Sequence, residues 1–163
     1  MIHSEQNSDM MRLILSFIAA LLLTVMPLPH FLIWFRPQWM LVVLLFWVIT
    51  KPSQYGILLA WFSGMMADLV AGTPFGQQAI IFVLITYFVL KLHLIIVHSP
   101  RWQQAVIIGT FSGCAMVLQS LIAGLIGHAA PVMRNELSVV ATVVVWPLIY
   151  GFLDDSRRTM RYL

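Results

Sequence analysis

Residues 56–76 read GILLAWFSGMMADLVAGTPFG. The stretch is apolar enough to cross a bilayer, yet it carries one carboxylate, Asp68. Every fourth position is small or is that acid: Gly56, Ala60, Gly64, Asp68, Gly72, Gly76. Residues four apart share a helix face, with a drift of about 40° per step. Ala60, Gly64 and Asp68 therefore line one face. A small face lets another backbone approach closely, as in the packing of membrane helices. The acid then faces that neighbour, because a charge facing lipid costs roughly 2.5 kcal/mol or more at the helix centre. Gly72 and Gly76, with Pro74 between them, end the helix in a tight turn before the next apolar run. The stretch predicts a helical hairpin with a buried polar point near one membrane face.

The rest of the chain has the same character. Hydrophobic residues make up 61% of its 163 residues and charged residues only 9%, against about 25% charged in a soluble domain. The mean hydropathy is +0.92. Such a chain has room for one membrane domain and no sizeable soluble one. The net charge of +3 comes from basic residues scattered at segment ends, a pattern that orients a membrane protein and is no nucleic-acid footprint. The single cysteine, Cys114, lies in an apolar run and reads as a small packing residue.

Residues 1–11 read as a loosely ordered cytoplasmic tail. A bundle of six helices over 12–153 follows, and 154–163 form a basic tail, all in one domain (1–163). The first helix runs from Leu13 to Met26, ended by Pro27 and Pro29. The segment PLPHFLIWFRPQW suits the water–lipid interface, with Trp34 and Trp39 at headgroup level. Pro37 opens the second helix, where a missing N–H costs nothing, and Lys51 and Pro52 close it. The hairpin helix is third, and 77–90 the fourth. Residues 91–104, KLHLIIVHSPRWQQ, read as a basic, partly apolar loop along the surface. The fifth helix, 105–127, holds Gly109 and Gly113, a second close-packing pair. The sixth, 137–153, contains Trp146 and Pro147, and the proline should kink it.

Six spans put both termini on one side together with Arg12, Lys51, Lys91, Arg101, Arg157, Arg158 and Arg161, leaving Arg36 and Arg134 opposite. That asymmetry makes both termini cytoplasmic. Asp68, Gly72, Gly76, Arg36 and Pro37 then lie toward the outer face. Arg36 is the partner expected for Asp68.

No catalytic residues are legible: there is no GxSxG, no HExxH and no phosphate loop. His93 and His98 lack the spacing of a helical metal site, so neither metal nor cofactor is expected. Asp68 reads as a structural acid accepting hydrogen bonds from a neighbouring segment, in preference to a proton or ion site. Trp146-Pro147 reads as a kinked, interface-anchored pair or as a notch for a partner. The glycine faces read as internal packing that would also receive another subunit, including a second copy of this chain.

FRPQW at 35–39, GMMADLVAGTPFGQQA at 64–79 and WP at 146–147 resemble the bacterial rod shape-determining MreD family. The resemblance covers nearly the whole chain. Its best-matching positions are Asp68, Leu69, Gly72 and Gly76, then Arg36 and Pro37. Where relatives often carry Leu before the last glycine, this chain has Phe75. The resemblance implies an all-α polytopic protein of the bacterial inner membrane and a non-enzymatic part in cell elongation and peptidoglycan synthesis. It implies MreC as a direct partner, with MreB filaments, RodA and its penicillin-binding transpeptidase in the wider complex. The family's helix arrangement is also similar to the substrate-binding subunits of energy-coupling-factor transporters. A small-molecule-binding membrane subunit, with Asp68 and Arg36 as ligand contacts, is therefore the rival reading.

Overall fold

A computed structural model describes residues 2–26, 38–125 and 136–159 of the chain. The described residues form seven helices and no strand: α1 (Ile2–Val25), α2 (Trp39–Thr50), α3 (Ile57–Ala71), α4 (Gln77–Lys91), α5 (His93–His98), α6 (Arg101–Leu125) and α7 (Glu136–Thr159). α6 is the one described helix both long and apolar enough to cross a membrane, and α2, α3, α4 and residues 138–151 of α7 are shorter apolar helices.

The bundle is built around α2. Met40 through Ile49 are all buried, and every other helix touches α2. Its sequence, WMLVVLLFWVIT, is apolar on all sides, as a helix enclosed by protein requires. At 12 residues it is about 18 Å long, short of the ~30 Å hydrocarbon core. The Trp47 indole donates to Ser16 Oγ on α1 at 2.9 Å. Phe46 meets Tyr150 of α7 edge to face, with centroids 5.4 Å apart. Trp39, expected at headgroup level, is half-buried and packs against this core.

α3 and α4 form the most intimate pair, followed by α6 and α7. In the second pair Gly109 lies against Val143 and Gly113 faces Val139. As the residue numbers rise on α6 they fall on α7, so the two helices run antiparallel.

Three stretches differ from the sequence reading. Residues 2–11, expected as a loose tail, are helical and continuous with α1. Asp9 explains how a polar end is held: it pairs with Lys51 after α2 and lies 3.7 Å from Arg12. Residues 91–104, expected as a loop, hold α5 and the start of α6. Gln104 is buried, and its amide donates to the carbonyls of Ile96 (2.9 Å) and Ser99 (3.1 Å). Those bonds satisfy the end of α5 and fix the turn into α6. Finally, α7 runs through the expected tail to Thr159. Residues 152–159, FLDDSRRT, contain no glycine or proline to stop it.

Candidate functional site at the Asp68 hairpin

Asp68 sits in the last turn of α3 and is 1% exposed. Its Oδ1 accepts the Thr73 hydroxyl and the Gln78 backbone N–H, each at 2.8 Å. Its Oδ2 accepts the Gly76 N–H at 2.8 Å. Two of these donors belong to the start of α4, whose first N–H groups have no partner within their own helix. Gly76, the N-cap residue, offers no side-chain cap. Asp68 thus caps α4 from the neighbouring helix, and its negative charge faces the positive end of the α4 dipole. The Asp68 carbonyl also takes the N–H groups of Gly72 and Thr73, which closes α3.

Glycine is needed at the turn for a stated reason. Gly72 has φ 65° and Gly76 φ 94°, the left-handed region that side chains disfavour. Gly64 serves a different purpose. A Cβ there would stand 2.6 Å from Ala79 N and 2.9 Å from the carbonyl carbon of Gln78. The two helices therefore touch backbone to backbone one turn below the acid, which brings the N-terminus of α4 within reach of the carboxylate.

Gly64, Asp68, Gly72 and Gly76 accordingly come together in one hairpin. Trp146 and Pro147 lie apart from it, on α7, which packs on α6 and α2. Trp146 is 1% exposed, and among the described residues its indole N–H has no hydrogen-bond partner. It leans on Tyr150 at 6.1 Å. Pro147 lies within α7 and is exposed. Arg36 and Pro37 lie outside the described residues, and so does the pairing expected between Arg36 and Asp68.

Thr73, Gln78 and Ala79 belong to the site without having stood out in the sequence. Two act through backbone atoms, which carry no side-chain signature. Only the hydroxyl of Thr73, five residues after the acid, was open to recognition. Gln77, also buried, reaches the Gln119 carbonyl of α6 at 3.4 Å and ties the hairpin to the rest of the bundle.

A cavity of about 900 Å³ lies between α4, α6 and α7, with Leu84, Phe88, Gly109, Thr110 and Val143 in its wall. Its lining is almost wholly apolar, and Asp68 takes no part in it. Cys114, expected as a packing residue, is exposed and lines this cavity. Among the described residues, no three His, Cys, Asp or Glu side chains gather as a metal site requires.

The described residues thus form an all-helical bundle with an enclosed apolar helix, small-residue contacts and a buried capping acid. The chain belongs to the rod shape-determining protein MreD family, which matches residues 5–155. It is 26% identical over 145 residues to the rod shape-determining protein MreD of Haemophilus influenzae, covering 89% of this chain and 90% of that protein. No solved structure matches it. Membership gives the chain a role in determining rod shape.

Proposed function

We propose that the chain is a non-enzymatic membrane scaffold of the cell-wall elongation complex. In this reading it spans the inner membrane six times and links MreC, MreB filaments and RodA with its penicillin-binding transpeptidase. The observation that carries the reading is the commitment of Asp68. A buried acid in an apolar helix is a functional-site hypothesis by default. Here three donors of its own hairpin already occupy it, so the acid builds structure. The pairing of Asp9 with Lys51 supports a topology in which the start of α1 and the end of α2 share a side.

The rival, a small-molecule-binding subunit, needs a polar pocket that includes Asp68. The cavity between α4, α6 and α7 is apolar and excludes it, which favours the scaffold. Deletion in the source bacterium, with cell shape and vitamin requirement scored together, separates the two. Rounded cells support the scaffold. Rod-shaped cells that need a vitamin overturn it.

A further inference from the structure

The elbow between α4 and α6 has features that hairpin packing does not explain. α5 rests on the bundle through one inward side chain, Ile96, which is fully buried. The His93 ring is held 2.9 Å from the Ile49 carbonyl at the end of α2. Around this anchor the apolar side chains point outward: Leu94 is 73% exposed, Trp102 71%, and Ile95 and Val97 are exposed too. Lys91 and Arg101 flank them. Neither has a carboxylate partner among the described side chains. Lys91 lies 5.2 Å from the Tyr87 ring, and Arg101 stacks 3.8 Å above that of Tyr150. The sequence holds no Asp or Glu from Leu69 to Asn135, so the elbow segment itself carries no acid to neutralise them. Lys51, by contrast, is taken by Asp9.

We propose that this elbow is a binding site for anionic phospholipid. α5 lies in the plane of the interface, with Leu94, Ile95 and Val97 at the boundary of the acyl chains and Trp102 at headgroup level. Lys91 and Arg101 hold the lipid phosphate, and stacking on tyrosine rings keeps both cations at the surface. Exposed aliphatic side chains beside an indole and unpaired cations are the composition of an interfacial anchor. Basic residues at that level draw anionic lipids by charge.

The test uses the full chain in detergent, with dioleoylphosphatidylglycerol or dioleoylphosphatidylcholine added, and native mass spectrometry as the readout. Wild-type protein should retain the glycerol lipid in at least five-fold preference. The Lys91→Gln/Arg101→Gln double variant should lose that preference, Lys91→Arg/Arg101→Lys should keep it, and Lys51→Gln should leave it unchanged. Equal retention of both lipids by wild type overturns the site, as does a preference that the double variant keeps. A second measurement covers a double variant that fails to fold. Ile95→Cys in a Cys114→Ser background, labelled with an environment-sensitive dye in phosphatidylglycerol vesicles, should be quenched by headgroup-level quenchers carried on lipid. A label that reads as fully aqueous overturns the placement of α5 in the membrane.

Discussion

The carboxylate of Asp68 on α3 accepts the backbone N–H of Gln78, ten residues later, at 2.8 Å. One side chain thereby ends one helix and begins the next. A side-chain cap normally belongs to the helix it starts. Here the cap is borrowed across the hairpin, so turn and acid stand or fall together.

Asp68→Ala should destabilise the protein by about 3–5 kcal/mol, since it removes three hydrogen bonds from part-buried donors to a carboxylate. Asp68→Asn keeps one oxygen acceptor and should cost less. Thr73→Ala removes a single donor and should cost about 1–2 kcal/mol. Thermal melting of detergent-purified variants checks the order Ala, Asn, Thr73→Ala. Asn as damaging as Ala would instead indicate a role for the charge itself.

Gly64→Ala should cost about 1–3 kcal/mol, because the added carbon meets backbone that cannot rotate aside. Gly56→Ala meets nothing within 4 Å and should stay within about 0.5 kcal/mol of wild type. Gly72→Ala also finds open space but is forced into the left-handed region, at about 1–2 kcal/mol. Membrane levels and melting temperatures of the three variants rank them. If Gly64→Ala behaves like Gly56→Ala, the close approach of α3 and α4 is wrong.

A carboxylate offers about four acceptor positions, and three donors reach Asp68 in the hairpin. We propose Arg36 as the fourth. Arg36→Ala and Asp68→Ala should then have overlapping effects on cell width and protein level, because coupled sites are not additive. Simple addition of the two effects rules Arg36 out and leaves the hairpin donors sufficient.

The distribution of basic residues leads us to propose that both termini are cytoplasmic, and the pairing of Asp9 with Lys51 keeps the start of α1 beside the end of α2. A reporter at the C-terminus should be active only as a cytoplasmic reporter, and one after Gly72 only as a periplasmic one. A periplasmic C-terminus defeats the six-span topology.

The hairpin was legible because glycine and proline mark its ends. The spacing of Gly56, Gly72, Pro74 and Gly76 sets limits that agree with α3 and α4. The all-helical class followed from composition and run length. Less visible was whatever depends on contacts between distant segments. Residues 2–11 look like a tail until Asp9 meets Lys51. Residues 91–104 look like a loop until Gln104 reaches back to Ile96. Asp68 stands out in the sequence as the one acid of an apolar stretch, but no pattern in the chain names backbone N–H groups as its donors.

The sheath around α2 has a consequence for biogenesis. α2 leaves the ribosome before the five helices that complete its covering. For that interval much of its apolar surface lacks the protein neighbours that later cover it. Chains cut short after Lys91 would lack α6 and α7 and leave Phe46 without Tyr150. Such products would leave part of the α2 surface uncovered, so burial of the core is complete only when the last helix has been made.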